Sequence, residues 1–73
     1  VNLLPGVRSV YRWQGAVETA QEVMLWAKTS RRHFPALAAS LQARHPYELP
    51  EIIAVSITTG SEPYLQWIND SLA

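Results

Sequence analysis

A β-strand with apolar side chains on both faces is the feature that most constrains how this chain can fold. Over 22–29, EVMLWAKT, the alternation predicts a strand with Val23 and Leu25 on one face and Met24 and Trp26 on the other. Strands of this kind are covered on both faces in folded proteins. A chain of 73 residues has few residues left to cover a second face, because small domains bury only about 60% of the surface that is exposed in the unfolded chain. We therefore expect other subunits to cover the second face.

The composition supports this expectation and excludes several classes of protein. Apolar and aromatic residues make up 48% of the chain and charged residues 16%, against about 25% charged in average domains. The net charge is zero, whereas a nucleic-acid binder needs an excess of Lys and Arg. No stretch approaches the roughly 18–20 apolar residues of a membrane span. The chain has no cysteine, which is compatible with a reducing compartment, and we expect a cytoplasmic protein.

Two further segments have the pattern of strands. The alternation over Val7–Trp13 predicts a strand that starts after a turn at Pro5-Gly6 and stops at Gln14-Gly15. The stretch 16–20 fits either a hairpin loop or a continued strand. The run Ile52–Thr58, IIAVSIT, predicts a third strand.

Two segments have the pattern of helices. Apolar residues at i, i+3, i+4 and i+7 predict a helix over Arg31–Arg44, although Pro35 belongs in a first turn and favours a later start. Pro46 ends this helix at or before the preceding residue. A terminal helix is predicted after Ser61, with Pro63 in its first turn. The predicted order is thus strand, strand, helix, strand, helix.

The motifs in this order resemble the CutA family of divalent-cation tolerance proteins. The stretch HPYELPEII at 45–53 is similar to that family's signature. The segment 1–15 looks like the family's second strand, 21–29 like its third strand, and 63–68 like its C-terminal helix. The resemblance covers essentially the whole chain.

The resemblance implies an α/β (α+β), ferredoxin-like fold in a single domain spanning 1–73, assembled as a homotrimer. Family members carry a strand and a helix before the point where this sequence starts, a unit of about 30 residues. We therefore expect the domain to be N-terminally incomplete relative to the family. In that case the strand at 52–58 would have no partner within the sheet.

The resemblance also implies a link to divalent metal ions such as copper. Family proposals for the metal site involve a Cys just before Val1, and this chain has none. His45 is the remaining candidate metal ligand, with Glu48 or Glu51 supplying oxygens, since imidazole suits copper and zinc. The alternative is that His45 only ends the helix, where a partly cationic ring favours the C-terminal dipole. His33 is expected to be a solvated surface residue.

Four residues are candidates for a ligand cleft between subunits. The resemblance places Lys28 at the end of a strand near such a cleft, where it would hold an anionic ligand; alternatively its stem covers apolar surface. Tyr47, Glu48 and Glu51 are the other candidates. The two carboxylates could equally form ion pairs between subunits or cap backbone groups.

The aromatic residues are too numerous for so small a core. Interfaces are enriched in Trp and Tyr, so we predict subunit contacts at Tyr11, Trp13, Trp26 and Trp67. The rival role, an RNA-stacking platform, requires a motif beginning Lys/Arg-Gly that the chain lacks.

These observations favour a non-enzymatic, CutA-like trimer linked to divalent metal (copper) tolerance, with ligands bound between subunits. The alternative is a structural or signalling trimer that acts as an adaptor for a small anion or a partner protein. Enzyme activity is not expected, because no catalytic triad, phosphate loop or zinc-ligand spacing is present in the sequence.

Overall fold

The computed structural model describes residues 1–72. It contains two strands followed by two helices: β1 (Asn2–Trp13), β2 (Ala16–Trp26), α1 (Phe34–Arg44) and α2 (Glu62–Ser71). The strands pair antiparallel in a two-stranded sheet. The predicted α+β class is therefore confirmed. Neither helix in the described part of the chain has the length and apolar character required to cross a membrane.

A two-residue turn joins the strands where the sequence predicts that the first one stops. Gln14 and Gly15 have φ angles of 49° and 81°. Positive φ at both central residues is the requirement of the type I′ turn, whose twist matches that of the flanking strands. Trp13 pairs with Ala16 directly across the turn. The stretch 16–20, for which a loop and a strand were both open, is thus part of β2.

The predicted strand break at Pro5-Gly6 is wrong. β1 runs through this dipeptide, and the register passes from Leu4 opposite Met24 to Val7 opposite Glu22. Two residues of β1 therefore lie against one residue of β2, which is a β-bulge. Gly6 adopts a φ of 76°, and a bulge tolerates a proline because the hydrogen-bond ladder is interrupted there.

The first helix starts later than Arg31. The amides of His33 and Phe34 both donate to the carbonyl oxygen of Ser30 at 3.1 Å, so 31–33 form a turn that leads into α1. Pro35 lies in the first turn of the helix, where its missing N–H costs no hydrogen bond.

The end of α1 and the start of α2 agree with the sequence. α1 ends at Arg44, before His45-Pro46, as the proline predicts. α2 begins after Ser61, whose carbonyl accepts a 3.0 Å hydrogen bond from the amide of Leu65.

The prediction of a third strand at 52–58 is wrong for the described residues. The sheet contains only β1 and β2, and this run belongs to no regular element. A strand is held by hydrogen bonds to a neighbouring strand, and alternating apolar residues without that pairing are insufficient. The structure agrees with the expectation that this run would lack a partner.

The described chain is extended and has almost no core. Its accessible surface is 6662 Å², against about 4,500 Å² for a compact monomer of the same mass. Its radius of gyration is 15.1 Å, against about 11 Å for a compact domain of this length. Ile68 is the one large apolar residue in the described part that is buried. Folding of the chain on itself therefore leaves most of its apolar surface in water.

The register divides the hairpin into two faces. Residues paired directly across an antiparallel sheet share a face, and the face alternates along each strand. One face, here called the aromatic face, carries Tyr11, Trp13 and Trp26 together with half-buried Val7 and Glu22. The other, here called the aliphatic face, is exposed throughout, and its large apolar members are Leu3, Val10, Val17, Val23 and Leu25.

Candidate functional site

A cavity of about 710 Å³ lies where the segment after α1 meets the turn half of the hairpin. Here it is called the 47–51 cleft. It brings together predicted residues from two distant parts of the sequence: Tyr47, Glu48 and Glu51 from the ligand-cleft set, and Tyr11 and Trp13 from the interface set. The full lining is Ser9, Val10, Tyr11, Arg12, Trp13, Glu22, Tyr47, Glu48, Leu49 and Glu51.

The charged groups of the 47–51 cleft are mainly acidic. Glu22, Glu48 and Glu51 supply three carboxylates, and Arg12 supplies one guanidinium. Sequence reasoning missed Glu22 and Arg12 as members of the site. Glu22 enters the lining because the register sets it opposite Val7, on the aromatic face. No local sequence pattern carries that information.

Lys28, the fourth ligand-cleft candidate, lies in a different place. It lines a cavity of about 340 Å³ beside α2, together with Asn2, Trp67 and Ile68 among others. Its Nζ donates a hydrogen bond to Oδ1 of Asn2 at the start of β1. The structure therefore separates Lys28 from Tyr47, Glu48 and Glu51.

The predicted interface aromatics remain exposed in the single chain. Tyr11, Trp13 and Trp26 are on the aromatic face. Trp67 lies on α2 and stacks against Tyr64 with ring centroids 5.6 Å apart. Their role in a trimer stays a prediction, since only one chain is described.

His45 lines neither cavity and connects α1 to the cleft segment instead. Its backbone N–H donates to the carbonyl oxygen of Leu41 at 2.9 Å, closing the end of the helix. Its Nδ1 accepts a hydrogen bond from the backbone N–H of Tyr47 at 3.1 Å, and the two rings lie 4.7 Å apart. An amide can only donate, so Nδ1 carries the lone pair and the proton of the neutral ring is on Nε2.

The described residues of one chain do not form a complete set of metal ligands. Within residues 1–72, no group of three or more His, Cys, Asp or Glu side chains is placed to hold one. The cleft offers carboxylates, which suit hard cations, while the imidazole preferred by copper or zinc lies outside it. His33 lies at the start of α1, where its Nδ1 is 2.6 Å from Oγ of Ser30. That His45 ligates a metal stays a prediction.

Comparison with known proteins identifies the family. Residues 1–71 match the family model described as CutA1 divalent ion tolerance protein. The chain belongs to the CutA1 family. It is 45% identical over 71 residues to the divalent-cation tolerance protein CutA of Thermus thermophilus, and 43% identical over 68 residues to protein CutA of Bos taurus. These matches cover 97% and 93% of this chain, but 69% and 39% of the two relatives.

Solved structures of the CutA1 family share the fold. The structure of the Thermus thermophilus divalent cation tolerance protein superposes on this chain with a TM-score of 0.93 at 43% identity. The match covers 99% of this chain and 70% of the Thermus thermophilus chain. CutA from Xylella fastidiosa also gives a TM-score of 0.93, at 49% identity, with 99% and 69% covered. The arrangement of hairpin and helices is therefore that of the family, and this sequence spans about two thirds of those chains.

Proposed function

We propose that this chain is a subunit of a non-enzymatic homotrimer that contributes to divalent cation tolerance, and that it binds its ligand in clefts between subunits. Family membership and the names of the relatives, divalent-cation tolerance protein CutA, support the general role. The ligand cleft in this proposal is the 47–51 cleft, completed by a neighbouring copy.

The observation that carries the proposal is the surplus of exposed surface. The chain exposes roughly 2,000 Å² more than a compact monomer of its mass would expose. A standard interface buries about 800 Å² on each partner, so contacts with neighbouring copies account for part of this surplus in a sequence that spans 69% of its Thermus thermophilus relative. The aliphatic face and the four exposed aromatics supply the apolar side chains that such contacts need.

The cation is cargo in this proposal, and its donors come from more than one chain. Glu48 and Glu51 bring two carboxylates to the cleft wall, and carboxylates are suitable ligands for divalent cations. In this proposal the neighbouring subunit supplies the ligands that complete the set begun by Glu48 and Glu51. Ion binding and assembly are then linked, since anything that binds only the assembled form stabilises it.

The test is light scattering combined with copper titration of the purified protein. We expect a mass near three times 8.2 kDa. We also expect that the double substitution Glu48→Gln/Glu51→Gln lowers Cu²⁺ affinity at least about tenfold, which corresponds to 1.4 kcal/mol. Glu62→Gln, an exposed carboxylate at the start of α2, is the matched control. A monomer at micromolar concentration, or equal Cu²⁺ affinity in all variants, contradicts the proposal.

The position of Lys28 favours a second candidate, an adaptor trimer that binds a small anion. Its ammonium group lines the cavity beside α2, and an ammonium offers three hydrogen-bond donors, of which Asn2 takes one. Thermal-shift measurements separate the two functions. Stabilisation by phosphate that is lost in Lys28→Met, with no response to Cu²⁺, supports the adaptor; stabilisation by Cu²⁺ alone supports cation binding.

A further inference from the structure

One local hydrogen bond holds the backbone between α1 and the 47–51 cleft. Pro46 has no N–H, so the amide of Tyr47 is the first donor in the chain after His45. That amide is directed to Nδ1 of His45 at 3.1 Å. The His45 backbone is meanwhile held to α1 through Leu41, with a ψ of 138° that is typical of a residue before proline. One residue therefore links the end of the helix to the first residue of the cleft wall.

We propose that His45 is a positioning residue of the cleft and not a metal ligand. This inference rests on the proposed role of the 47–51 cleft, whose lining begins at Tyr47. The Nδ1 contact, reinforced by the ring contact at 4.7 Å, holds the segment that presents Tyr47, Glu48 and Glu51. It acts as an Asx-turn does, in which a side-chain acceptor takes the amide two residues further along the chain.

The same contact makes His45 unsuited to a metal. A metal-bound histidine offers one ring nitrogen to the ion and donates the other N–H to an acceptor. In His45 the second nitrogen faces a donor, so the ring is fixed with its proton on Nε2. Coordination through Nε2 would move that proton to Nδ1, where it would meet the N–H of Tyr47. Coordination through Nδ1 would break the contact outright.

A set of substitutions at one position separates the two roles. His45→Asn keeps an acceptor at nearly the position of Nδ1, because the Asn Oδ1 is also two bonds from Cβ. His45→Phe keeps an aromatic ring beside Tyr47 but has no acceptor, and His45→Ala has neither. His33→Ala is the matched control, since His33 pairs with Ser30 at the other end of α1.

The first readout is amide hydrogen exchange of Tyr47, measured by NMR on the whole purified protein. The loss of one hydrogen bond is expected to speed exchange about fivefold in His45→Ala and His45→Phe. His45→Asn and His33→Ala should exchange at the wild-type rate. In long-range ¹H–¹⁵N spectra of the wild type, the His45 ring should show its proton on Nε2. Unchanged exchange in His45→Ala, or exchange in His45→Asn as fast as in His45→Ala, overturns the inference.

The second readout is Cu²⁺ affinity of the same variants. A positioning role predicts that His45→Asn binds Cu²⁺ like the wild type, while His45→Ala binds more weakly. If His45→Asn loses as much affinity as His45→Ala, His45 is a ligand and the inference is wrong. If the wild type binds no Cu²⁺, the proposed function fails, and the exchange of the Tyr47 amide alone decides the role of His45.

Discussion

The two faces of the hairpin are built from the same two strands, yet the rest of the chain contacts one face more than the other. On the aromatic face, Val7 and Glu22 are half-buried, and the 47–51 segment closes a cavity against Tyr11 and Trp13. The aliphatic face is fully exposed, with Val10 and Val17 more than 60% accessible. The chain thus forms its cleft mainly on the aromatic face, with Val10 and Arg12 at its edge, and leaves most of the aliphatic face in water. In the proposed trimer, the aromatic face lines the cleft that a neighbouring copy completes, and the aliphatic face packs against another apolar surface.

The largest effect is expected from a charge placed on the aliphatic face. Val23→Glu introduces a carboxylate on the aliphatic face, outside the cleft lining, at a position that the proposed assembly would bury, where an unpaired charge costs several kcal/mol. We expect the mass measured by light scattering to fall from the trimer to the single chain of 8.2 kDa. Ala39→Glu, an exposed position on α1, adds the same charge elsewhere and should leave the mass unchanged. A trimer that survives Val23→Glu would remove the aliphatic face from the interface.

An intermediate effect is expected where the single chain already buries a side chain. Ile68→Ala removes the buried residue of α2 (6% exposed), and such truncations cost about 2–5 kcal/mol. Ile53→Ala is the same change at a position that is 74% exposed, and surface substitutions stay within about 0.5 kcal/mol. Urea denaturation of both variants at one protein concentration measures the difference. Equal losses would mean that 52–58 is also covered in the folded protein.

The smallest effect is expected at the turn, which sets the register and so decides which residues reach each face. Gly15→Ala places a Cβ at a φ of 81°, which should cost about 1 kcal/mol. Gln14→Asn should raise the free energy of unfolding by a few tenths of a kcal/mol, because Asn tolerates the positive φ at this position better than Gln. Thermal unfolding checks the two signs. A stabilising Gly15→Ala would show that the turn does not have the type I′ geometry.

Features set by neighbouring residues in the sequence were predictable. The end of α1 before Pro46, the start of α2 after Ser61 and the turn at Gln14-Gly15 all agree with the structure. Each depends on the stereochemistry of one or two residues: Pro46 keeps His45 out of the helical conformation, Pro63 fits the first turn of α2, and Gly15 tolerates a positive φ. The resemblance to the CutA family, based on the motif at 45–53, is also confirmed.

Features set by partners distant in the sequence were not predictable from local patterns. Pro5-Gly6 has the composition of a turn, but pairing with β2 carries the strand through it as a bulge. The run 52–58 has the composition of a strand but has no neighbouring strand among the described residues. Glu22 joins Glu48 and Glu51 in the cleft only through the register of the hairpin. In each case the local sequence does not show which other segment of the chain packs against these residues.

The two-residue turn also has a consequence for the order of folding events. Hairpins closed by such turns form in about 1–10 μs without help from another molecule. In the proposed trimer, the aliphatic face of this hairpin is covered by a second chain, and subunit assembly takes milliseconds to minutes and depends on concentration. On that assembly route, each newly formed hairpin keeps its aliphatic face exposed to other apolar surfaces until the second chain binds. Dilution lengthens that wait, and a crowded mixture of unfolded chains makes it the stage at which aggregation competes with assembly.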